Sequence, residues 1–137
     1  SKLHPHMPLN DRLEPDFLGI KAQNLLADII EIKQPFASCF TKRDKYSAGL
    51  NKALDQLCEY LDFAKENKSY LKSEKGISFD NPKGLLLIGY NLSENQKSLL
   101  KRKERAMDGI TIMTYNDLVH CIGSTLRIAS MIGNRKL

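Results

Sequence analysis

The order of hydrophobic patterns along the chain predicts an α/β fold, with a mixed central sheet flanked by helices. Two stretches carry the prediction. Asp28-Ile29-Ile30-Glu31-Ile32-Lys33 is rich in β-branched residues and is closed by Gln34-Pro35, so it reads as a strand. The unbroken apolar run Gly84-Leu85-Leu86-Leu87-Ile88-Gly89 reads as a strand buried on both faces, the mark of parallel pairing beneath helices. Between them, Leu50, Ala53, Leu54, Leu57, Leu61 and Ala64 recur at helical spacing and supply a crossover from about Ser47 to Glu66.

Taken in order, Ser1 to Asp11 carries prolines at positions 5 and 8 and is expected to be an irregular leading segment. Residues 12–137 are expected to form one domain, cut from a longer protein. Arg12 to Ile20 suggests a strand on which Pro15 marks an edge or a bulge, and Lys21 to Asn24 turns the chain into the isoleucine-rich strand. The resulting hairpin runs from about Leu13 to Lys33 and can bring Asp16 close to Glu31. Pro35 to Ser47 lacks a period and reads as a loop, as does the lysine-rich Asn67 to Pro82. Ser93 is a candidate N-cap for a helix reaching Met107, with Leu99, Leu100, Ala106 and Met107 on its apolar side. Ile110 to Thr114 is a short strand, and a last helix follows with Leu118, Ile122, Leu126, Ala129 and Ile132 as its stripe.

With 42% hydrophobic and 27% charged residues in a chain of 137, the composition is that of a globular protein, and no stretch approaches the apolar length needed to span a bilayer. A formal charge of +5 is a mild push towards polyanionic partners. Cys39, Cys58 and Cys121 are widely spaced and read as reduced thiols; with no secretory pattern at the start, a reducing cytoplasm is the expected compartment.

Side chains alternate across a strand, so Glu31 and Lys33 share one face while Ile30 and Ile32 take the other. Two charges on an apolar ribbon either pair structurally or hold a metal. Asp28, three residues from Glu31, points to the opposite face, which leaves Asp16 as the second acid. Glu-x-Lys alone is weak, since Glu66-Asn67-Lys68 repeats it in a polar stretch. Gln56 and Tyr60, four apart on the helix, read as residues that border the core, with the Tyr60 hydroxyl in water. Lys97, Lys101, Arg102, Lys103 and Arg105 read as a solvated helix face, and His120 as structural.

Together, Pro15-Asp16, Glu31-x-Lys33 and Gln56-x-x-x-Tyr60 resemble the signature of the PD-(D/E)xK nuclease superfamily in its Gln-x-x-x-Tyr branch. More narrowly, Glu31-Ile32-Lys33-Gln34-Pro35, Gln56 to Tyr60, Pro82 to Gly89 and Ile112 to Leu118 resemble the Shedu family of antiphage nucleases, over Leu13 to Ala129. The resemblance implies a restriction-endonuclease-like core and a metal-dependent DNA endonuclease in the service of phage defence. Mg²⁺, with Mn²⁺ as a substitute, is the implied cofactor, and Asp16, Glu31 and the main-chain carbonyl of Ile32 are its implied ligands. Lys33 is assigned the attacking water or the phosphate charge, and Gln56 and Tyr60 supporting roles. Lys42, Arg43 and Lys45 are candidates for contact with the DNA backbone. His4 or His6 could add a ligand. Restriction-like folds usually begin with a helix that has no counterpart before Arg12, in keeping with a regulatory segment upstream; a homo-oligomer is also open. The competing readings are a catalytically silent nucleic-acid-binding or oligomerisation module on this fold, and a repair or recombination nuclease. The iron-sulfur version of the last would need a four-cysteine set, and the chain has three cysteines.

Overall fold

A computed structural model describes residues 2–135. Its elements are β1 (Lys2–Pro5), β2 (Phe17–Ile20), β3 (Ala27–Ile32), α1 (Ala48–Glu66), α2 (Lys68–Lys75), β4 (Gly84–Leu87), α3 (Glu94–Arg105), β5 (Ile110–Met113) and α4 (Tyr115–Arg135). The strands form one mixed sheet in the order β1-β2-β3-β4-β5, antiparallel between β1, β2 and β3 and parallel between β3, β4 and β5. The parallel strands need crossovers, which α1 with α2 and then α3 provide. This is the α/β arrangement that the pattern predicts, and it is consistent with the restriction-endonuclease-like core that the resemblance implies.

The helix α1 starts where Ser47 caps it, its hydroxyl accepting from the N–H of Leu50 at 3.0 Å. Leu50, Leu54, Leu57 and Leu61 are all buried, each contributing about 2 kcal/mol by leaving water. The helix packs on β3 and β4. At β4 the approach is so close that a Cβ on Gly84 would lie 3.0 Å from Leu57 Cδ2, so a side chain there would have to push the Leu57 side chain aside. α3 packs on β5 and opens with a capping box between Ser93 and Gln96.

Three expectations are corrected. The leading segment is not irregular throughout: β1 pairs with β2, and Leu9 is fully buried. A proline ends β1, and an edge strand tolerates it because it needs donors on one side only. The stretch read as a loop after Asn67 contains α2, anchored by the buried Leu71 and stopped at Gly76, whose φ of 67° suits glycine and whose N–H donates to the Leu71 carbonyl. The stripe of α4 does not pack on the core; Leu118 is half-buried, and Ile122, Leu126 and Ile132 are exposed. No helix among the described residues is long and apolar enough to cross a membrane.

Candidate active site

The antiparallel ladder of β2 with β3 ends at Phe17 opposite Ile30. Pro15 has no N–H to continue it. Continued one step, the same register sets Asp16 opposite Glu31, and here side chains replace the backbone ladder. The N–H of Asp16 donates to Glu31 Oε1 at 2.9 Å, and the N–H of Ile32 donates to Asp16 Oδ2 at 2.9 Å. Two carboxylates are thus fixed across the mouth of a parting hairpin, each by one oxygen. Charge-assisted bonds of this kind are among the stronger ones in proteins.

Glu31 is 2% exposed. Burial pushes its carboxyl above the usual carboxylate range, and the neighbouring charge of Asp16 pushes the same way; the Asp16 N–H and the Lys33 ammonium oppose them. Lys33 Nζ stands 3.9 Å from Glu31 Oε2, and its side chain is partly exposed. Glu31 and Lys33 do share a face of the chain, as alternation requires.

The helix α1 reaches the same place. Gln56 Nε2 donates to the Tyr60 hydroxyl at 2.7 Å, and that hydroxyl donates to the Glu14 carbonyl at 3.2 Å. Tyr60 is 3% exposed, so its ring belongs to the core and its hydroxyl is not in water, contrary to the sequence expectation. Burial raises the hydroxyl's pKa, the charge of Glu31 adds to the rise, and the Gln56 bond opposes it. Tyr60 therefore grips the main chain two residues before Asp16.

Lys33, Lys52, Ala53, Gln56, Ser38 and Ile88 are among the residues lining a cavity of about 260 Å³. Lys52 lines the cavity although it belongs to none of the sequence motifs. The available signal was its place one helical turn before Gln56, which puts both on one face of α1. Lys42, Arg43 and Lys45 lie instead on an exposed turn between Phe40 and Tyr46, and none of them lines this cavity. His4 pairs in the β1 ladder opposite Leu18, and His6 Nδ1 lies 3.8 Å from Glu14 Oε1. Asp28 is engaged elsewhere: its Oδ1 accepts from the N–H of Lys83 at 2.9 Å and its Oδ2 lies 3.3 Å from Lys21 Nζ.

Among the described residues, no group of three or more His, Cys, Asp and Glu side chains converges as a metal cage. Two hard carboxylates do converge, and Mg²⁺ is held in that way, by one or two carboxylates with the rest of its shell water. Glu31 is buried and Asp16 beside it half-buried, and two acids so close favour a cation near them. The paired carboxylates of Asp16 and Glu31 are a donor set of that kind.

A family model described as "Shedu protein SduA, C-terminal" matches residues 2–119. No curated protein matches the chain.

Proposed function

The chain belongs to the family of Shedu SduA C-terminal domains, whose proteins act in defence against phage, and from that premise we propose that it is a Mg²⁺-dependent DNA endonuclease. The observation that carries the reading is the meeting of Asp16, Glu31 and Lys33 at the end of a hairpin, with Gln56 and Tyr60 bonded behind them. A structural ion pair would need one acid and one base. Here the buried Glu31 is held beside a second acid, Asp16, an arrangement a binding module would not require.

Asp16, Glu31 and the Ile32 carbonyl would hold the ion, which when bound supplies a polarised phosphate oxygen and a water acidified towards hydroxide. Lys33, on the open side of Glu31, stabilises charge developing on the phosphate or orients the attacking water. Tyr60 fixes the Glu14 carbonyl and so the position of Asp16; Gln56 holds the Tyr60 hydroxyl in place. Lys33 and Lys52 give the adjoining cavity two ammonium groups for a DNA backbone. The test is cleavage of supercoiled plasmid with Mg²⁺ by the natural chain and by Asp16→Asn. The first should cut the plasmid and the second should not.

A further inference from the structure

Phe36 is 89% exposed, more than any other large apolar side chain among the described residues, and Tyr90 is 47% exposed. Both sit at the end of the sheet where Lys33 leaves β3. The N–H of Ala37 donates to the Gln34 carbonyl at 3.0 Å, closing a tight turn with Pro35 and Phe36 at its apex. Proline at the first apex position fixes the turn before any ligand arrives. Tyr90 follows β4 in a loop that is also tied down. The N–H of Tyr115 donates to the Gly89 carbonyl at 2.9 Å, and Asn91 and Asn116 exchange two bonds, at 2.8 and 3.0 Å.

These two held loops set the rings of Phe36 and Tyr90 edge to face, with centroids 6.4 Å apart and planes at 89°. The pair forms a corner at which Phe36 leaves most of its ring to solvent. Phe36, Tyr90 and Asn91 line a cavity of about 290 Å³, and Ala37 and Ser38 line both this cavity and the one containing Lys33 and Lys52. Asn91 Oδ1 is taken by Asn116, while its Nδ2 has no acceptor among the described residues. An aromatic face, a spare amide donor and two neighbouring ammonium groups are what a nucleotide asks for: a ring to stack on, a donor for a base carbonyl, and cations for phosphates.

We propose that Phe36 and Tyr90 form a stacking shelf for an unpaired nucleobase next to the phosphate that lies at Lys33. The shelf rests on the nuclease reading of the Lys33 cavity, and it narrows the substrate to DNA that is single-stranded or frayed at the cut. A base inside a duplex has both faces covered and cannot use the shelf.

The test uses a short oligothymidylate carrying one 2-aminopurine, whose fluorescence is quenched on stacking, with the full chain and Ca²⁺ in place of Mg²⁺. Phe36→Ala and Tyr90→Ala should each weaken binding about tenfold and diminish the quench, while Phe36→Trp keeps both. Phe36 is so exposed that its truncation should leave the unfolding midpoint unchanged, which separates a lost contact from a lost fold. Unaltered affinity and quench in Phe36→Ala would overturn the shelf, as would a natural chain that fails to quench the probe. Plasmid cleavage, measured alongside, keeps the two readings apart. Quenching without any cleavage leaves the shelf standing and removes the nuclease; cleavage with binding indifferent to Phe36 does the reverse.

Discussion

The N–H of Asp16 donates to the buried carboxylate of Glu31 at 2.9 Å, at the point where β2 and β3 cease to pair through their backbones. The second acid is therefore placed by the first, and Ile32 returns the arrangement by donating to Asp16. What looks like the end of a hairpin is a pair of side-chain caps that hold two acidic groups together.

Glu31 carries a cost in the metal-free protein. Its folded pKa is raised, so between the ordinary carboxylate value and that raised value the folded state binds more protons than the unfolded chain. Acidifying through this window should therefore stabilise the fold, and raising the pH above it should remove that gain. Glu31→Gln should erase this part of the pH dependence and unfold no earlier than the natural chain at neutral pH in EDTA, while losing cleavage. Thermal unfolding across pH reads the first two effects.

Tyr60→Phe keeps the ring but leaves the Glu14 carbonyl and the Gln56 amide without the hydroxyl. A loss of about 1–2 kcal/mol in urea unfolding is expected. Cleavage should fall by more than that stability loss accounts for, because Asp16 is no longer held from behind. Gln56→Ala spares the Tyr60–Glu14 bond and should be milder on both counts.

Asp28 is the control acid. It anchors the N–H of Lys83 and pairs with Lys21, so Asp28→Ala should cost about 1 kcal/mol of stability. It takes no part in the candidate site, and plasmid cleavage by the variant should match that of the natural chain at a temperature where both are folded.

Strand alternation and the ordered motifs made the shared face of Glu31 and Lys33 legible, because a regular strand leaves no freedom there. The crossovers were legible for the same reason: α1 buries an unbroken leucine stripe. What was hidden depends on partners distant in sequence. The burial of Tyr60 follows from the passage of the Glu14–Asp16 segment over α1, which no helical period encodes. β1 is too short and too proline-marked to announce itself, and α2 buries only Leu71, too little to give a stripe. Lys52 entered the cavity on the back of Gln56, and Lys42, Arg43 and Lys45 stayed on their exposed turn.

The cysteines offer a reading of the packing itself. Cys39 is buried, which pushes its thiol up to about 11, and burial with the nearby Asp62 and Asp55 raises Cys58 as well. Cys121 is exposed on α4. A maleimide added to the native protein should label Cys121 first and Cys39 only on unfolding, a sequence that peptide mass spectrometry resolves.

Hydrolysis of DNA by Asp16, Glu31 and Lys33 makes Lys33 indispensable to cleavage. The decisive measurement is the cutting of supercoiled plasmid by the natural chain and by Lys33→Ala, each with Mg²⁺. The natural chain should cut in a reaction that EDTA abolishes, and the variant should cut about a hundredfold or more slowly, with unfolding unchanged. Plasmid bound but left intact by the natural chain, or cut equally well by Lys33→Ala, would rule out this site as the centre of cleavage.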